Sequence, residues 1–278
     1  MRCGQKGDLC HYGVTKNKIF SFAFHTESES PQHSLMDANM NNNFFCFASL
    51  SMIGCVDSIG SSECSTAQMT AEISVVLSGS QVDVETTLKL NNWTYVKLEE
   101  GDRIKVLHES ETKESYDDDP SGPYHRYIES FQGVDAGTEF QVSFLRNVGD
   151  SALESIVEIP DDFLILSPQV DTRHSRTEDV YIQWESHETD DTMQIILNGF
   201  CMAKRTYEVD MKDGAFVIPA DDIVLANLIG LEKEEDLTTE CWVTLELERR
   251  TYGSLDLNFG FGEIVGGNRQ ELDLYLVP

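Results

Sequence analysis

Basic residues are scarce in this chain: 20 Lys and Arg stand against 49 Asp and Glu, a formal net charge of −29 over 278 residues. Phosphate backbones are bound through clustered Lys and Arg, so no nucleic acid is expected as a partner. No run of 18 or more apolar residues occurs, which excludes a transmembrane helix. There is no C-x-x-C pair and no Cys/His spacing suited to zinc. No G-x-S-x-G elbow marks a hydrolase nucleophile, and no cofactor is expected. Strongly amphipathic helical stretches of 12 or more residues are also missing.

The acidic excess is unevenly placed. Residues 1–55 balance four basic against four acidic residues, so 56–278 carries the whole excess, as 45 acidic against 16 basic. The first stretch is rich in His, Asn and Ser and has no period. The remainder alternates apolar and polar residues.

An apolar stretch of 11 residues, Phe44 to Gly54, follows the polar Met40-Asn41-Asn42-Asn43 and stops before Cys55. That order fits a short secretory h-region with a small-residue cleavage site. Met52-Ile53-Gly54-Cys55 resembles a bacterial lipobox, with Met52 where Leu is usual. The resemblance implies cleavage before Cys55 and a diacylglycerol on its thiol, an anchor for an otherwise soluble body. Residues 40–54 are therefore expected to be a lipoprotein signal peptide, with Met40 the start. Residues 1–39 would be spurious upstream or disordered sequence, and 55–70 a Ser-rich tether. An Asp stands at residue 57 and not at 56, so the inner-membrane retention pattern of enteric lipoproteins is absent. The outer membrane is the expected location.

Cleavage would leave four cysteines, Cys55, Cys64, Cys201 and Cys241. Cys201 ends the apolar run 193–200 and Cys241 opens 242–247, both at the edges of strand-like segments. A Cys201–Cys241 disulfide is expected, in keeping with an oxidising compartment. Cys64 is left over in the tether.

Strand patterns fill the body. Val82, Val84, Thr86, Leu88 and Leu90 alternate onto one face, as do Phe140, Val142 and Phe144, and then Val180, Ile182 and Trp184. Turn signals recur about every 8–12 residues, the spacing of a sandwich or barrel. Alternation stops at Pro168 and resumes at Val180. The expected fold is all-β: two tandem Ig-like sandwiches, 71–168 and 169–278, with 163–166 the last strand of the first. Residues 253–261 are read as a strand, and Gly260-Phe261-Gly262 and Gly266-Gly267-Asn268 as hairpin turns.

The layout resembles uncharacterised bacterial envelope lipoproteins with two tandem all-β domains. The residues that carry it include Gly101-Asp102, Phe140-Gln141-Val142-Ser143-Phe144-Leu145-Arg146, Tyr181-Ile182-Gln183-Trp184, Asn198-Gly199-Phe200-Cys201 and Gly253-Ser254-Leu255-Asp256. The resemblance implies export and membrane anchoring and carries no activity.

Candidate sites are few. Asp117, Asp118 and Asp119 with the following Pro and Gly offer oxygen ligands, but successive residues point apart and no calcium-loop spacing is present, so they are weak metal candidates. Asp190-Asp191 and the acidic run 232–236 read as solvated. His108, His125, His174 and His187 lie in polar stretches and read as surface residues. Tyr124 and Tyr127, with His125-Arg126, suit a carbohydrate or peptide surface, although Tyr127 also suits the core. Trp184 and Trp242 read as core. The function expected is non-catalytic: a lipid-anchored envelope protein that binds, adheres or supports, with an envelope protein or polysaccharide as partner. The alternative is a carbohydrate-active or hydrolytic accessory module, which needs two carboxylates about 5–10 Å apart in a groove.

Overall fold

The structure is a computed structural model, and it describes residues 57–99, 101–116, 124–199, 201–223 and 240–278. Strands dominate. In chain order they are β1 (Asp57–Gly60), β2 (Thr70–Ser78), β3 (Gln81–Asn91), β4 (Thr94–Lys97), β5 (Arg103–His108), β6 (Glu111–Ser115), β7 (Arg126–Gln132), β8 (Glu139–Leu145) and β9 (Ala152–Glu158). Then come β10 (Ile165–Ser167), β11 (Thr172–Ser175), β12 (Val180–Trp184), β13 (Thr192–Gly199), β14 (Met202–Asp210), β15 (Ala215–Ile218), β16 (Cys241–Tyr252) and β17 (Phe261–Val277).

They form an all-β sandwich fold. A 10-stranded sheet runs β1-β4-β3-β2-β17-β16-β13-β14, with β7 also paired to β3 and β11 to β17. A four-stranded sheet, β6-β5-β8-β9, and a three-stranded sheet, β10-β12-β15, complete the set. Two hydrophobic cores result. The first gathers Ile73, Val84, Phe131, Phe140 and Phe144, together with Phe259 and Ile264 from the C-terminal region. The second gathers Phe163, Ile182, Trp184, Ile195, Leu245 and Leu274. Residues on both sides of position 168 thus share the large sheet.

The longest strand links the two cores. Residues 261–269 of β17 pair in parallel with β2, while 265–276 pair antiparallel with β16. Gly266 and Gly267, expected in a turn, lie buried inside this strand. The reason is steric. A Cβ on Gly266 would run into the Glu158 carbonyl oxygen, and one on Gly267 would lie 3.0 Å from Glu248 Oε1. Gly262, at φ +127°, lies against the Ala71 carbonyl and leaves no room for a side chain. Residues 253–260 form the connection and not the expected strand. Asp256 latches it to β9, accepting hydrogen bonds from the Leu153 and Glu154 backbone N–H groups at 2.6 and 2.8 Å.

Between the cores runs a polar seam. Arg249 and Asn268, opposite each other in the β16–β17 ladder, are both buried. Arg249 pairs with Asp191 at 2.7 Å and donates to the Asp161 carbonyl at 3.0 Å. Asn268 donates to Asp162 Oδ1 at 2.9 Å, and on the opposite face of the sheet Arg269 pairs with Glu248 at 2.7 Å. Asp191 is therefore a structural partner, not a solvated acid. The strap 160–163 is pinned over the seam and delivers Phe163 to the second core. Residues 163–166 were expected to close the first sandwich, but β10 pairs with β12. Pro160 ends the β9 ladder, and Phe163 then finds its apolar surroundings on the other side.

Residues 57–69 are not a tether. β1 pairs in parallel with β4, and Ser61, Cys64, Thr66 and Met69 are buried. Arg146 is the clamp. Its guanidinium donates to the Cys64 carbonyl at 2.9 Å and to the Ser61 carbonyl, and its Nε lies 3.4 Å from Asp102 Oδ2. Asp102 in turn accepts from the Asn147 N–H at 2.7 Å. A Ser-rich sequence carries no apolar period, so its burial through a remote Arg had no local signature.

Removing one partner of a buried ion pair typically costs about 3–5 kcal/mol. Arg146→Met is expected to lower unfolding stability by that order and to expose 57–69 to protease. Urea denaturation with N-terminal proteolysis checks it, and an unchanged midpoint would show the clamp to be dispensable.

Candidate functional site

Strand alternation leaves one face of the large sheet outside the first core. Register assigns its rows. Arg126, Thr87, Glu72 and Glu263 stand side by side on β7, β3, β2 and β17. The next row holds Ile128, Glu85, Ser74, Val265 and Tyr252. Lys89 faces Tyr95 across the β3–β4 pair. All of these but Ile128 and Tyr252 line, with Tyr124 and Arg250, two adjoining open clefts of about 210 and 270 Å³, which share Glu72, Glu85 and Thr87.

The floor is polar and internally paired. Lys89 binds Glu72 at 2.5 Å and Arg126 binds Glu85 at 3.5 Å. Arg250, on the far side, lies 3.4 Å from Glu248 Oε1. Aromatic side chains rim the floor. Tyr124 meets Tyr95 edge-on with ring centroids 5.2 Å apart, and the Lys89 ammonium sits 5.5 Å from the Tyr95 centroid. Tyr124 is 57% exposed, Tyr252 54% and Phe261 76%. Aromatic side chains are enriched where proteins meet partners, and here they stand exposed beside a polar floor.

Only Tyr124 and Arg126 of this constellation stood out in the sequence. Tyr127 turns inward, donating to the Val96 carbonyl at 3.2 Å and accepting from the Leu98 N–H at 2.9 Å. His125 shares that inward face and is buried, a correction to its expected surface position. His108 packs against Phe140, with centroids 4.8 Å apart, and is only partly exposed. His174 Nε2 lies 3.1 Å from the Glu178 carbonyl, and His187 is half-buried. The rest of the site, Glu72, Glu85, Lys89, Tyr95 and Glu263, was hidden because ordinary solvent-face residues acquire meaning only once register brings them together.

Trp184 is buried as expected, its indole N–H donating to the Met211 carbonyl at 2.9 Å. Trp242 is 54% exposed instead of packing in the core. Its neighbour Cys241 points inward, and adjacent strand residues face opposite sides. Cys201 and Cys241 form a disulfide, with Cα atoms 6.1 Å apart, inside the range a bridge requires. Cys55, Asp117, Asp118, Asp119 and the run 232–236 lie outside the described residues. Among the described residues no group of three or more His, Cys, Asp and Glu is placed to hold a metal ion, and no helix is long and apolar enough to cross a membrane.

The chain is an all-β sandwich protein with an open polar and aromatic face. No family model and no curated protein matches it. Among solved structures it is similar to the FN1–FN3 domains of chicken CNTN1, at 11% identity over 81% of this chain and 66% of that one, just under two thirds, with a TM-score of 0.28. A two-domain fibronectin type III segment from chicken tenascin aligns at 9% identity over 75% of this chain and 99% of that one, TM-score 0.21. A cytokine receptor complex aligns at 9% identity over 75% and 95%, TM-score 0.25. Overlaps this loose carry no argument about function.

Two expectations concern this half of the molecule. The disulfide closes a loop of sequence separation 40. In the chain-entropy model such a loop stabilises by about 4 kcal/mol. The Cys201→Ser, Cys241→Ser double variant should lose that amount in denaturant titration, and reductant should have no further effect on it. Tyr207 donates to Asp222 Oδ2 at 3.0 Å. Burial first, then this hydrogen bond and the Asp222 charge, push its phenol from 10.0 up to about 12. The fold therefore holds a proton that the unfolded chain has already released, and stability present below pH 10 is lost as pH rises towards 12. Tyr207→Phe should flatten that alkaline decline, as read from denaturation midpoints across the interval.

Proposed function

We propose that the protein is a lipid-anchored, non-catalytic binding protein of the bacterial envelope, held at the outer membrane through Cys55 and turning the open face of its large sheet to a partner. The aromatic-rimmed face carries the binding part of this reading. Its side chains project from hydrogen-bonded strands, so little conformational freedom is lost when a partner arrives. The lipobox-like Met52-Ile53-Gly54-Cys55 supports the anchor, and the disulfide is compatible with an oxidising compartment. Two acyl chains on one Cys would give stable anchorage where a single chain binds reversibly. The acidic surface would keep the body clear of anionic headgroups. An envelope protein or polysaccharide is the partner class.

Hydrolysis by paired carboxylates is the competing reading. It needs two carboxylates free to serve one bond. In the cleft Glu72 is held by Lys89 and Glu85 by Arg126, which favours recognition.

Full-length protein expressed in a two-membrane bacterium should sediment with the outer membrane. Its intact mass should show residues 1–54 removed and a diacylglycerol-bearing Cys55. Cys55→Ser should shift it to the soluble fraction. A Cys55→Ser protein that stays in the membrane, or a mature N-terminus elsewhere, refutes the anchor.

A further inference from the structure

The cleft also indicates what kind of ligand it takes. We propose that the cleft between the Tyr95–Tyr124 pair and Phe261 binds a neutral saccharide, an inference that rests on reading this face as the binding surface.

Charge is the first argument. The chain carries a net −29, yet the cleft lining holds three carboxylates, Glu72, Glu85 and Glu263, and three cations, Lys89, Arg126 and Arg250. The lining is neutral on a strongly acidic protein. An anionic ligand is repelled by the surrounding field, and a cationic one is drawn as strongly to the rest of the surface. A neutral ligand is indifferent to that field and is selected by contact alone.

Hydrogen-bond chemistry is the second. Paired carboxylate and ammonium or guanidinium groups present acceptors and donors a few ångströms apart. Neighbouring hydroxyls of a sugar ring can donate to the carboxylate and accept from the cation at once. A peptide adding as a strand needs free backbone groups at a sheet edge. Here the backbone groups of β3 and β2 are taken up in ladders on both sides, as are those of β17 from Val265 to Arg269.

The aromatic spacing is the third. Tyr95, Lys89, Thr70 and Phe261 stand in one row on β4, β3, β2 and β17. Three strand-to-strand steps separate Tyr95 from Phe261, about 14 Å at ordinary sheet spacing. Each end offers a ring on which the C–H face of a sugar can stack. A platform at each end of a polar floor suits a short oligosaccharide, and the open ends let it be an internal stretch of a longer polymer.

The test is titration of the full-length protein with neutral gluco-, xylo- and chito-oligosaccharides of increasing length, followed by calorimetry and by amide chemical shifts. Affinity should rise with length, then level off, and should hardly depend on salt. Tyr124→Ala and Phe261→Ala should each weaken it about tenfold, the scale of one aromatic contact. Tyr124→Phe should retain binding, as should Tyr181→Ala on the small sheet. All three side chains are largely exposed, so folding should be unaffected in the four variants, and denaturation midpoints verify that. Silence towards every neutral saccharide, binding that vanishes with salt, or full affinity in both alanine variants would overturn the proposal. If an envelope-derived peptide binds instead and Tyr124→Ala abolishes it, the saccharide inference fails while the binding face stands. If neither saccharide nor peptide binds, both readings fail.

Discussion

A buried guanidinium governs how the two cores meet. Arg249 lies on β16 at the seam, 2% exposed, and a desolvated charge there is tolerable only with its partners in place. Those partners come from separate stretches of chain: Asp191 from the connection before β13 and the Asp161 carbonyl from the strap between β9 and β10. Three segments far apart in sequence are thereby held in one geometry. Asn268, opposite Arg249 in the β16–β17 ladder, extends the polar line along β17. Apolar residues would pack the seam as well, but they would not dictate which carbonyl or carboxylate sits against which strand.

The same β16–β17 ladder holds the binding face. Arg250 on β16 and Glu263 on β17 line one side of the cleft, with Tyr252 and Phe261 on the same sheet face, while β3 and β7 supply the other. The parallel pairing of β17 with β2 brings these sides together. Two groups of functional side chains, from opposite ends of the described chain, are aligned by backbone hydrogen bonds rather than by flexible loops. A surface assembled in this way is stiff, and its specificity is set by spacing more than by adaptation.

What the sequence revealed followed from periodicity. Val82, Val84 and Leu88, and likewise Val180, Ile182 and Trp184, fall inward because alternation is a local property of extended backbone. The Cys201–Cys241 bridge was readable because one cysteine ends a strand-like run and the other opens one. Nonlocal matters were not readable. β6 is polar throughout and mostly exposed, an edge strand whose pairing with β5 leaves no apolar pattern. Of the buried glycines of β17, Gly266 answers to a close approach of β9 and Gly267 to the Glu248 side chain of β16, so they resemble a turn until those partners are seen. The cleft depends on register among several strands, which no single segment encodes. Its aromatic corner at Tyr124 was the one visible part.

The position of β17 sets an order of events. Its first half completes the β2 edge, and Ile264 belongs to the first core, although almost the whole second half of the chain separates them. A chain that emerges N-terminus first from a ribosome must therefore leave its first sandwich open until β17 appears. During that interval the β2 edge is an unsatisfied template for pairing. Closure of so distant a contact is slow by its loop-closure entropy alone. The first sandwich is thus the part of the body whose completion waits on β17, whatever else has already paired.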